Sequence, residues 1–179
     1  MADYDVVLLV EQALTAQDAR QVRSLHEGLD DPVTYHVLLP VDDAAARVEA
    51  SLGSLSGSEL LATPAMPMET VDLDAVREDS RQRAQADLTA SVAALEAAGA
   101  TVATSTLVTG PPIDELVAKV KEVDGRETIV LTQPHVVAEL FRLDWTSKAR
   151  RQLDVPVLHL LEHENFDEQA AGPDGIGGA

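Results

Sequence analysis

The residues best placed to do chemistry follow the apolar run at 129–131, in the order Thr132, Gln133, Pro134, His135. A strand giving way to a helix at that point would present free backbone N–H groups and the positive end of the helix dipole, a combination that favours an anion. The imidazole of His135 would add a donor, although a histidine at a helix start also serves as a cap or a surface group. Further along, Thr146 and Ser147 offer hydroxyls to a ligand or to their own helix backbone. Trp145, the only tryptophan, reads either as the wall of a ligand pocket or as a core or dimer anchor beside Leu140 and Phe141. Glu11, after the first apolar run, would lie at the carboxyl end of a central strand, where open α/β sheets bind ligands. It reads either as a contact to a ribose hydroxyl or a cation, or as a helix cap or loop residue.

Other chemistries find less support. There is no cysteine, which removes disulfides, thiolate metal sites and cysteine nucleophiles. His26, His36, His135, His159 and His163 show no H-x-x-x-H or H-E-x-x-H spacing, so no zinc site is expected. His159 and His163, flanking the closing strand, read as surface or interface groups. Ser51, Ser54, Ser56 and Ser58 lack a G-x-S-x-G frame, and neither a P-loop nor a G-x-G-x-x-G is present. No residue is nominated as a catalytic nucleophile.

The elements that must position these groups alternate along the chain. Residues 5–10 and 33–39 are continuous apolar runs, the pattern of strands buried on both faces. Between them, Ala19, Val22 and Leu25 or His26 fall at helical spacing over residues 15–29, with Thr15 as N-cap and Asp18 three positions later. Residues 41–71 are irregular: a short Ala-rich helix is expected at 42–52, then the small, flexible SLGSLSGS, then Pro64 and Pro67. Met66 and Met68 read as core packing or as a pocket cover. The spacing of Leu73, Val76, Ser80, Ala84, Leu88, Val92 and Leu95 predicts a long helix over 72–98, closed by Gly99. Residues 101–108 supply a third strand, Gly110-Pro111-Pro112 turns the chain into a helix over 113–123, and Asp124-Gly125 stops it. Residues 127–162 then read as strand, loop, helix and strand. Strand followed by helix throughout argues for a parallel sheet with helices on both faces.

Composition bounds the partners. With 179 residues, 45% of them apolar, the chain suits one core, expected over residues 1–163. A formal net charge of -18 excludes non-specific affinity for nucleic acid or an anionic membrane, which carry the same sign. Lys148, Arg150 and Arg151 form a local basic group that leaves room for an anion. The opening MADYDVVLLVEQ lacks the basic region and long apolar stretch of a signal peptide, and no run reaches membrane-spanning length, so a cytoplasmic protein is expected. Residues 164–179 turn to Asp, Glu, Gly and Pro and are expected to form a disordered tail.

Two stretches, TLVTGPPIDELVAKVKEVDGRETIVLTQ and DVPVLHL, together with the order of elements, resemble the universal stress protein family. The resemblance covers residues 5–161. It implies a doubly wound, five-stranded parallel sheet of order 3-2-1-4-5 in a nucleotide-binding α/β fold. It also implies an ATP site and, often, a homodimer joined along the last strand, here near Val157, Leu158 and Leu160. ATP-binding members carry G-x-x-G after the fourth strand and, nine residues on, a glycine followed by serine or threonine. Here the first pair falls on Thr132 and His135 and the later site on Trp145 and Thr146. Glycine lets the backbone turn through strained angles and bring its N–H groups against phosphate oxygens, which Thr, His and Trp do less well. The family's adenosine-contacting aspartate falls at or beside Glu11. The expected function is therefore a non-enzymatic binding or regulatory module of this kind with an altered or lost ATP pocket. Two alternatives stand beside it: a receptor or enzyme for another anionic ligand or nucleotide, and a scaffold whose 41–71 segment and acidic surface recruit a protein partner.

Overall fold

The apolar runs at the start of the chain become central strands. In the computed structural model, which describes residues 4–42, 72–132 and 151–161, β1 (Tyr4–Val10) lies between β2 (Val33–Pro40) and β4 (Glu127–Thr132). Each pairing is parallel, with Leu8 opposite Val37 on one side and Ile129 on the other. β3 (Thr101–Val108) and β5 (Val157–Leu161) form the two edges, giving the order β3-β2-β1-β4-β5 that the family resemblance implies. The helix expected at 42–52, Met66, Met68, His163 and the 164–179 tail lie outside the described residues.

Side chains alternate across each strand, so a sheet covered on both faces needs two apolar layers. Val6, Leu8 and Val10 of β1 join Tyr35, Val37 and Leu39 of β2 in one layer. Two helices cover it: α1 (Ala16–Ser24) with Ala19 and Val22, and α2 (Leu73–Ala97) with Ala84, Leu88 and Leu95. Val7, Leu9, Leu38 and Val130 point the other way, against Ile113, Leu116, Val117 and Val120 of α3 (Pro112–Val123). All four buried positions of α3 are those its 3.6-residue spacing predicts. Leu153, just past the described end of the helix before β5, completes this second layer.

Helix ends follow their local chemistry. Thr15 caps α1 in a reciprocal capping box: its hydroxyl accepts from the Asp18 N–H, and Asp18 accepts from the Thr15 N–H at 2.8 Å. α1 stops at Ser24, short of the sequence expectation of residue 29. Tight turns take over, with the N–H groups of His26, Glu27 and Leu29 each reaching the carbonyl three residues back. α2 is capped by Asp72, which accepts from the N–H groups of Asp74 and Ala75, and ends at Gly99 with φ +83°. After α3 the left-handed turn falls on Asp124, φ 51°, rather than on Gly125. Gly125 answers a different need, since a Cβ there would stand 3.3 Å from the Val7 side chain. Among the described residues no helix is long and apolar enough to cross a membrane.

Candidate functional site

The sheet order places the change of winding direction between β1 and β4. A crevice at the carboxyl ends of these strands is the general ligand position in open α/β sheets. β1 ends at Val10 and β4 at Thr132, and the Glu11 N–H extends the pairing by donating to the Leu131 carbonyl at 3.2 Å. Glu11 and Thr132 are thus brought to the same edge, as the sequence predicts. Gln133, His135, Trp145, Thr146 and Ser147 lie outside the described residues.

Thr132 sits differently from a loop residue open to a ligand. It is 5% exposed, and its side chain lies on the same face of the sheet as Val130. Its hydroxyl meets Nε2 of His159 on β5 at 2.9 Å. The register explains the meeting: His159 stands opposite Val130, and Thr132 is the next residue of β4 on that face. His159, expected from the sequence as a surface or interface group, is a half-buried residue of the edge strand β5. Burial holds its imidazole below the ordinary value of 6.5, favouring the neutral ring. Sequence reasoning missed this residue because the cue was only the alternation of Val157, His159 and Leu161 in a five-residue strand.

The loops leaving the strands at this edge supply further polar groups. Glu11 and Gln12 follow β1, Asp42 follows β2, and Thr109 and Gly110 follow β3. Among these described edge residues there is neither lysine nor arginine. Gly110 lies close to Glu115, whose carboxylate oxygen would stand 2.9 Å from a Cβ added there and could swing aside. The loop after β1 is fixed from outside the sheet. The Leu14 N–H donates to Ser91 Oγ at 3.0 Å, and that buried hydroxyl donates to the Asp87 carbonyl at 2.8 Å.

Two polar networks lie toward the opposite, amino-terminal end of the sheet, away from the predicted site. Beneath α1, His26 is 3% exposed and bridges Tyr35 and Glu127. Since a carboxylate only accepts, Nε2–H of His26 donates to Glu127 Oε2 at 3.2 Å, and Nδ1 accepts from the Tyr35 hydroxyl at 2.8 Å. Tyr4 also donates to Glu127, and the Arg126 guanidinium lies 5.9 Å from the Tyr4 ring centre. Hydrogen bonding from His26 holds Glu127 below the ordinary carboxylate value, and burial pushes Tyr35 up to about 12. On the other face, Asp5, His36 and Thr104 form a second chain of hydrogen bonds across β1, β2 and β3. Among the described residues no group of three or more His, Asp or Glu is placed to hold a metal ion.

Comparison with solved structures bears on the fold. The chain is similar to a universal stress protein from Archaeoglobus fulgidus, with TM-score 0.51 at 14% identity, over 87% of this chain and 92% of that one. It is similar also to a universal stress protein in complex with cAMP, with TM-score 0.50 at 14% identity, over 89% and 98% of the two chains. The chain has the universal stress protein fold. No family model matches the sequence, and no curated protein matches it. The universal stress protein arrangement puts the Thr132–His159 pair at the end of the fourth strand, beside the crevice formed with β1.

Proposed function

We propose that this chain is a non-enzymatic binding or regulatory module of the universal stress protein type whose ATP pocket is altered. One observation carries the reading. Where the family pattern has the first glycine of its phosphate loop, Thr132 directs a buried side chain at His159. That arrangement places a β-branched residue where phosphate recognition uses bare backbone, and it commits the hydroxyl to a partner inside the protein. Glu11 and Asp42 add carboxylates to the same edge. A ligand with less charge than ATP suits such an edge better, and the cAMP held by one protein of the same fold is an example of that class.

Isothermal titration with ATP, ADP, AMP and cAMP tests the reading. The expected outcome is ATP binding weaker than about 100 μM, equivalent to roughly 5.5 kcal/mol, with AMP or cAMP bound no more weakly than ATP. Micromolar ATP binding with the phosphates on the 132–135 loop would overturn it.

We also propose a homodimer joined along β5, as the resemblance implies. Val157 and Leu158 are partly exposed on that edge strand, whereas Leu160 is only 2% exposed and belongs to the core of the single chain. Val157 and Leu158, on the edge strand β5, would carry the contact. Light scattering at micromolar concentration that returns the single-chain mass of 19.1 kDa would count against the dimer.

A further inference from the structure

The chain of hydrogen bonds through Asp5, His36 and Thr104 has the connectivity of an activated nucleophile. These three residues lie on adjacent strands, on the face that carries Val7, Leu9 and Leu38. Asp5 Oδ1 and His36 Nε2 are 2.9 Å apart, and His36 Nδ1 and Thr104 Oγ1 are 2.8 Å apart. The carboxylate can only accept, so the imidazole proton sits on Nε2 and the lone pair of Nδ1 faces the threonine O–H. A hydroxyl donating to a base that is itself oriented by a third group is the signature of nucleophilic catalysis.

Burial is graded along the relay. The His36 side chain is 7% exposed and that of Asp5 22% exposed, while Thr104 on the edge strand is exposed. The base is shielded and the hydroxyl is accessible. The strand is also modified at this point. Tyr35 pairs with Val102 but His36 pairs with Thr104, so Ala103 bulges out of the ladder. A bulge re-aims the side chain beside it, here the one that reaches His36. Thr106, next on the same face, is exposed like Thr104, and among the described residues no histidine is bonded to it.

We propose that Thr104 is a covalent acyl-acceptor site, taking an acyl group from an activated donor such as an aryl ester or an acyl phosphate. Thr104 Oγ1 attacks the carbonyl carbon while its proton passes to His36 Nδ1, and Asp5 stabilises the resulting imidazolium through Nε2–H. Collapse of the tetrahedral adduct breaks the bond to the leaving oxygen, which either takes the proton from Nδ1 or departs as the anion while Nδ1 releases its proton to water. The products are acyl-Thr104 and a phenol or phosphate, and the relay returns to its starting protonation.

The test uses the full chain and 4-nitrophenyl acetate, with the adducts located by peptide mapping in a mass spectrometer. Thr101, Ser105 and Thr106 are exposed hydroxyls on the same strand and serve as internal references. Early acetylation of Thr104 is expected to exceed theirs by about 100-fold, the lower range of general-base assistance. Asp5→Asn and His36→Gln are expected to bring Thr104 down to the level of Thr106, with folding checked by circular dichroism. Acetylation of Thr104 comparable to that of Thr106 in the unaltered protein overturns the proposal, whatever the variants do. A high ratio that survives Asp5→Asn in a folded protein overturns it as well, because the relay would then not be the cause. Should His36→Gln fail to fold, the wild-type ratio and Asp5→Asn decide the matter.

Discussion

At the scale of single residues, the polar side chains inside the sheet are the part of the molecule least visible in the sequence. Spacing put Leu25 or His26 on a buried side, and His26 is buried in the turn after α1, but its partner Glu127 is 101 residues away. No local pattern encodes such a pairing. Glu127 has a consequence for acid stability. Its value is lowered from 4.5 in the folded chain, so its contribution is fully present above 4.5 and is lost as pH falls through the lowered value. Urea denaturation at a series of pH values should show this loss on the acid side, and Glu127→Gln should flatten that part of the profile. The Thr128 hydroxyl is fully buried and, among the described residues, has no hydrogen-bond partner. Thr128→Val keeps the shape and removes the unsatisfied group, so it should raise the unfolding free energy by about 1 kcal/mol. A denaturant midpoint that falls instead would show that the hydroxyl is satisfied in solution.

At the scale of elements, periodicity was a good guide wherever one face decides the outcome. The buried positions of α3 and the cap of α1 are readable because a stripe of apolar residues and a T-x-x-D spacing each have one simple structural solution. Removing the cap should be measurable. Thr15→Ala deletes the hydroxyl that accepts from Asp18 and should lower stability by about 1 kcal/mol in urea unfolding. Periodicity failed where two residues compete for one face. In α2 the sequence favours Val92, but Ser91 is fully buried because its hydroxyl bonds the 10–15 loop and its own helix. The candidate site divides in the same manner. Glu11 and Thr132 could be assigned to the crevice from strand order, whereas the turn of Thr132 toward His159 depends on the β4–β5 register.

At the scale of the whole molecule, alternating elements pointed to a parallel sheet and the family resemblance to its order, although the chain is only 14% identical to each of the two solved structures compared. Fold survives such divergence because many apolar residues can fill the same two layers at little cost. Net charge is a property that only the whole chain has. At -18 the surface repels itself, and salt should relieve that repulsion by shortening the reach of each charge to about 8 Å at physiological ionic strength. Melting temperature should therefore rise with sodium chloride, as read by differential scanning calorimetry; a decrease would mean that ion pairs outweigh the repulsion. The hydrogen bond from Leu14 to Ser91 gives the molecule one further property. It links the loop bordering the crevice to the C-terminal half of α2, two segments 77 residues apart in sequence. The Leu14 amide is thereby an internal probe whose deuterium uptake reports how often the loop and the helix part company, and a ligand seated in the crevice would slow that uptake without touching the amide itself.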